Sequence, residues 1–191
     1  MATVLVPLAP GFEDLEAVTI TDLLRRAQIE VVTAGLTTGP IRGSRGTTVV
    51  PDTTLDDALQ RNFDMVVLPG GQPGATNLEQ DARVRTLLQK MAQQGHYTAA
   101  ICAAPKVLAA AGLLDGKHAT GFPGSLDTKQ FPKIRIEDQD VVTDGKIITS
   151  RGPGTAMDFT LTLIEHLAGK EKRNQVETGL HRPASHLRRE H

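Results

Sequence analysis

Thr98-Ala99-Ala100-Ile101-Cys102-Ala103-Ala104-Pro105 decides the fold. A short apolar run leads into the only cysteine of the chain. Ala103 to Ala111 then reads as a helix, since alanine is the best helix former and Pro105 suits a first turn. Cys102 therefore stands at a strand-to-helix turn. N–H groups at a helix start point outward unpaired and the dipole there is positive, which is expected to favour a thiolate and lower the thiol pKa. A lone cysteine serves equally well as a small buried hydrophobe, and the local residues leave both readings open.

Working outward, the same kind of unit recurs. Thr3-Val4-Leu5-Val6-Pro7-Leu8 is too continuously apolar for a sheet with a wet face and reads as a central parallel strand. Asp14 to Ala27 follows as an amphipathic helix, with Leu15, Val18, Leu23 and Leu24 read as its apolar side and acid-to-base polarity that suits the macrodipole. Glu30 to Leu36 is the second strand, Thr47 to Pro51 an edge-strand candidate, and Thr54 to Ala58 a capped helical turn. Met65 to Leu68 is a buried strand that runs into Pro69-Gly70-Gly71, and Ala82 to Gln94 is a helix ended by Gly95. After the cysteine unit come a short strand near Ala119-Thr120, a hairpin turning at Asp144-Gly145, and a helix from Ala156 to Leu167 stopped by Gly169. Alternating strands and helices predict an α/β doubly wound, mostly parallel sheet. Its site is then expected beyond the carboxyl ends of the strands.

The totals agree. A chain of 191 residues fits one domain, placed at 1–179, with a basic tail over 180–191 expected to be disordered. The net charge of −1 implies neither a nucleic-acid groove nor a membrane surface. There is no long apolar run, and Met1 to Pro7 reads as a first strand rather than a signal peptide. One cysteine cannot form an internal disulfide, which points to the reducing cytoplasm.

Glu13, Asp14 and Glu16 cluster past the first strand, where carboxylates are usually dipole-friendly surface groups. Glu16 differs, because its neighbours are apolar and it could point inward; burial would then raise its pKa and let it shuttle protons to a thiolate. Gly70 and Gly71 make a tight turn, or else present amides that form an oxyanion hole with the Ala103 N–H. Arg25, Arg26 and Arg45 read as solvated charges or as an anion anchor near the thiol. His181, His186 and His191 are spaced by five, a poor chelate on a helix, and no metal is expected. Neither a G-x-G-x-x-G fingerprint nor a G-x-S-x-G elbow occurs.

Five pieces, in order, resemble the ThiJ/PfpI superfamily, and within it the Parkinsonism-associated protein deglycase branch with its bacterial YajL-like members. They are Leu8 to Val18, Val67 to Gly71, Ala100 to Pro105, Thr120 to Pro123 and Thr149 to Thr155. The resemblance implies a flavodoxin-like sandwich with helices on both faces, akin to class I glutamine amidotransferases, and a homodimer. Cys102 would be the reactive cysteine, Glu16 its protonated acid partner, and Gly71 with Ala103 the oxyanion amides. Arg26 and Arg45 match family arginines near the pocket and the dimer interface. The implied activity is a cofactor-independent, cysteine-dependent glyoxalase or protein deglycase. It would act on methylglyoxal, glyoxal or their early adducts on proteins, as a hydro-lyase or hydrolase, protecting against carbonyl and oxidative stress. Chaperone activity is also ascribed to the family.

One position departs from the pattern. Phe122 stands where many members carry histidine, which removes the base that a peptidase or amidotransferase needs to activate its nucleophile. The chief alternative is a redox sensor or redox-regulated chaperone working through oxidation of Cys102. An intracellular cysteine peptidase is weaker.

Overall fold

β1 (Thr3–Leu8) separates two cores, because alternate side chains of a strand point to opposite faces of the sheet. Val4, Val6 and Leu8 face one core, together with Ile20, Leu24, Phe159 and Leu163. Leu5 faces the other, with Leu55, Val84, Leu88 and Leu108. The computed structural model describes residues 1–183. After β1 come α1 (Asp14–Arg26), β2 (Glu30–Gly35), β3 (Ile41–Arg42), β4 (Thr48–Val49), β5 (Thr53–Thr54) and α2 (Leu55–Ala58). The middle of the chain forms β6 (Met65–Leu68), α3 (Gly74–Gln80), α4 (Ala82–Gln93), β7 (Tyr97–Ile101) and α5 (Pro105–Ala110). Then follow β8 (His118–Ala119), β9 (Arg135–Ile136), β10 (Val141–Asp144), β11 (Ile147–Ser150) and α6 (Ala156–Gly179).

The main sheet has seven strands in the order β10-β11-β7-β6-β1-β2-β5. Every neighbouring pair is parallel except the β10–β11 hairpin. α1 and α6 cover one face, and α3, α4 and α5 the other. This is the doubly wound α/β sheet read from the strand–helix pattern, with the flavodoxin-like architecture that the resemblance implies. The carboxyl ends of β1, β6, β7 and β11 share one edge of the sheet, and the loops that leave them meet there.

Several expectations need correction. Leu15 and Val18 are each 51% exposed, while α1 buries Glu16, Ala17, Ile20, Leu23 and Leu24 instead. The Thr47–Pro51 segment is not the sheet's edge: β4 pairs with β3 in a separate two-stranded ribbon, and β5 forms the edge beside β2. The glycine loop after β6 leads into α3, an element not read from the sequence. Gly169 does break the last helix, with φ 87°, yet helix resumes beyond it to Gly179. Of the expected tail, 184–191 lies outside the described residues, as do His186 and His191. Among the described residues no helix is long and apolar enough to cross a membrane.

Candidate active site

Cys102 directly follows β7 in a left-handed conformation with φ 64°. A side chain held there is strained by roughly 1–3 kcal/mol, so its surroundings must fix it. They do so through the backbone. The Cys102 N–H donates to the Ser150 carbonyl at 3.0 Å, and the Cys102 carbonyl accepts the Phe122 N–H at 2.7 Å. Gly70 is glycine for a local reason: a Cβ there would lie 2.7 Å from Cys102 Cβ and 2.9 Å from the Ala103 nitrogen. Gly71, at φ 89°, lets the β6 loop close against the loop after β1, where a Cβ would lie 2.4 Å from the Glu13 nitrogen. Small residues at these turns thus bring three loops to the sulfur.

Glu16 comes from the first turn of α1 and is 0% exposed. Its placement starts with Glu13, whose Oε2 caps the helix by accepting the Glu16 N–H at 2.8 Å. Glu16 Oε2 accepts the Gly70 N–H at 2.7 Å. Oε1 is buried with no hydrogen-bond partner, and the Cys102 thiol is the polar group beside the carboxyl. Burial pushes the Glu16 pKa from 4.5 up to about 7; the Gly70 amide and the thiol pull it down, and the Glu13 charge adds a little upward.

The thiol does not follow the expectation of a lowered pKa. Burial first, then the charge of an ionised Glu16 and its hydrogen bond, push Cys102 up to about 12, against the lowering effect of the Gly71 and Ala103 N–H groups at the sulfur. The helix dipole loses to desolvation because Cys102 is only 8% exposed and α5 begins at Pro105, beyond the turn. Two of the raising causes exist only while Glu16 is ionised. Moving the proton from sulfur to carboxyl converts them into an O–H donated to a thiolate, which the two amides also stabilise. Between about pH 7 and 12 the pair therefore shares one proton.

The structure sorts the other candidates. Gly71 and Ala103 direct their amides at the sulfur. The Gly70 N–H is instead taken by Glu16, so Gly70 supplies clearance and not an oxyanion donor. Arg45 lines the pocket over the thiol, a cavity of about 290 Å³, together with Ser44, Gln72, Phe122 and Pro153. Arg26 does not: it pairs with Asp22 in the last turn of α1, about 15 Å along the helix from Glu16 at 1.5 Å per residue. Phe122 occupies the wall where an imidazole was in question, and among the described residues no histidine lines the cavity. Among the described residues no group of three or more His, Cys, Asp or Glu side chains is placed to hold a metal. Asp14, in a position where acids are usually surface groups, is buried and bonded to the loop bearing Arg45. Gly43 was the available signal, since a Cβ there would meet the Asp14 carboxylate.

Comparison with known proteins gives concordant findings. Residues 2–166 match the DJ-1/PfpI family. The chain is 45% identical over 177 residues to protein dj-1beta of Drosophila melanogaster, covering 92% of this chain and 95% of that protein. It is 35% identical over 164 residues to glutathione-independent glyoxalase DJR-1.2 of Caenorhabditis elegans, covering 86% and 87%. The crystal structure of Drosophila DJ-1beta superposes with a TM-score of 0.91 at 42% identity, covering 96% of this chain and 99% of that one.

Proposed function

Because the chain belongs to the DJ-1/PfpI family, we propose that it is a cofactor-independent glyoxalase, acting on α-oxoaldehydes such as methylglyoxal and glyoxal or on their early adducts with proteins. The observation that carries this reading is the buried Glu16 carboxyl set against the Cys102 thiol, with two amides at the sulfur.

The thiolate attacks the aldehyde carbon, a C–S bond forms, and the carbonyl oxygen becomes an alkoxide beside the Gly71 and Ala103 N–H groups. Glu16 gives that oxygen its proton, leaving a hemithioacetal and a carboxylate. The carboxylate removes the proton from the same carbon to give an enediolate; the hydroxyl proton of the first carbon passes to the oxygen of the second, and Glu16 returns its proton to that second carbon. The product is a thioester of a 2-hydroxy acid. Water attacks it, the C–S bond breaks and the thiol recovers its proton. Methylglyoxal plus water thus becomes lactate, with no net oxidation. Cys102→Ser is expected to abolish lactate formation from methylglyoxal; a variant that kept the wild-type rate would sink the mechanism.

The orphan Oε1 of Glu16 supports a second reading, since a protonated carboxyl there can donate to a sulfinate. Peroxide would transfer oxygen to the thiolate, with water or hydroxide leaving. Mass spectrometry after mild peroxide should show two oxygens added at Cys102, and a thiol left free would end the sensor reading. A peptidase would need a histidine to activate the thiol, and among the described residues none lines this pocket. We also infer a homodimer, for which the exposed Leu15 and Val18 on α1 are the natural seat.

A further inference from the structure

One carboxylate beside the pocket has no part in the chemistry above. Asp14 is buried, and both of its oxygens are used on backbone amides of another segment. Oδ2 accepts the Arg45 N–H at 2.8 Å and Oδ1 accepts the Thr47 N–H at 2.7 Å. An acid kept only for the helix dipole needs no such partners. The loop between β3 and β4 is tied down at one further point, where the Ser44 N–H donates to the Phe12 carbonyl at 2.7 Å, and at the end of β3 the Gly11 N–H donates to the Arg42 carbonyl at 2.8 Å. Gly43 makes the closure possible, because a Cβ there would lie 2.4 Å from Asp14 Oδ2.

That loop carries Ser44 and Arg45 onto the wall of the cysteine pocket. The Arg45 guanidinium has no ion-pair or hydrogen-bond partner among the described residues. The other acid on that wall, Glu13, is engaged by the Glu16 N–H. Arg45 is thus anchored at the mouth through its backbone, with the charge of its exposed side chain left for a ligand.

We propose that Asp14 is a positioning residue: it latches the 43–47 loop to α1 and so fixes Arg45 where it attracts anionic electrophiles to Cys102. The proposal rests on Cys102 as the reactive group of this pocket, not on which aldehyde it consumes. Holding a charge still matters because a mobile one is replaced by water and counter-ions at little cost.

The test uses the full chain, in which alkylation of thiol reports Cys102 alone. Iodoacetate and iodoacetamide each form an S–C bond and expel iodide, and they differ in charge. Rates with both are measured for wild type, Asp14→Asn, Arg45→Met and the double variant at one pH, with circular dichroism to confirm folding. Asp14→Asn is expected to slow iodoacetate about fivefold and iodoacetamide less than twofold, as loss of an oriented charge does. Arg45→Met is expected to slow iodoacetate at least as much, and adding Asp14→Asn to it should bring no further drop, the mark of two residues acting as a unit. Gly43→Ala presses on the carboxylate from the loop side and should lower the same ratio; it decides the matter if Asp14→Asn does not fold. An unchanged iodoacetate-to-iodoacetamide ratio overturns the proposal. So do equal losses with both reagents, or additive losses in the double variant. Alkylation needs no aldehyde, so a chain inert to methylglyoxal still tests the latch, and an absent latch leaves lactate formation intact.

Discussion

The two halves of α1 follow opposite rules. From Ile20 onward the helix buries Ile20, Leu23 and Leu24 and exposes Arg25 and Arg26, as an amphipathic surface helix should. Its first turns invert that polarity. They bury two acids, Asp14 and Glu16, and leave Leu15 and Val18 half exposed. The second half is built for stability. The first sets a buried carboxyl beside a thiol, bonds the 43–47 loop and turns apolar side chains outward, and stability is lost to do it. A carboxyl raised from 4.5 to about 7 on folding binds its proton more tightly in the native state. Native stability is then fully helped below about pH 4.5 and falls as the pH climbs to about 7, by roughly 3 kcal/mol in all.

Replacing Glu16 should separate the halves most sharply. Glu16→Gln keeps an acceptor for the Gly70 N–H but cannot move a proton. Methylglyoxal turnover is expected to fall by about three orders of magnitude, within the range that acid–base groups supply. The same variant should be more stable than wild type above pH 7, by up to roughly 3 kcal/mol, and lose that advantage at acid pH. Urea unfolding at pH 6 and pH 8.5 reads the difference. Lower stability at pH 8.5 would show that the first half of α1 is a stabilising element after all. Cys102 alkylation in wild type should rise with a midpoint of about 7, as the shared proton sets it, and the midpoint should move upward in Glu16→Gln.

The second half should answer in the opposite currency. Leu24→Ala empties a fully buried site and is expected to cost about 3 kcal/mol by thermal or urea unfolding, with turnover per folded molecule kept. Val18→Asp should change neither quantity much. It places a charge on the face inferred to meet a second copy, and light scattering is expected to show the dimer shifted towards monomer. A wild-type chain that is monomeric throughout would leave the exposed Leu15 and Val18 unexplained.

The same inversion marks how far the sequence could be read. Strands such as Met65–Leu68 and the β10–β11 hairpin were legible because period and turn chemistry are local. Cys102 at a turn, and Glu16 as an acid among apolar residues, were legible for the same reason. The phase of α1 was not, since Leu15 and Val18 satisfy a helical apolar stripe as well as the truly buried set does. What decided it was the Gly70 amide waiting for Glu16, a contact 54 positions away. Gly70 shows the complementary limit: a glycine pair announces free amides, but only the fold says which acceptor takes each one. The thiol pKa departs from expectation for a similar reason, because a helix dipole can be read from spacing and desolvation cannot.

Arg26 supplies the smallest expected effect and a clean boundary between the halves. Its guanidinium pairs with Asp22 at 2.7 Å, and both side chains are about half exposed, at 52% and 50%. Such a pair, spaced one turn apart on a helix, is worth about 0.3–0.5 kcal/mol. Arg26→Ala should therefore lower the melting temperature by no more than a degree or two. Within one chain it lies a helix length from Glu16, so kcat and KM for methylglyoxal should stay within twofold of wild type. A tenfold rise in KM at unchanged stability would carry a different meaning: the residue would be reaching a pocket from outside its own chain. The end of α1 that obeys ordinary patterning would then also serve the site, through the apolar face that the other end exposes.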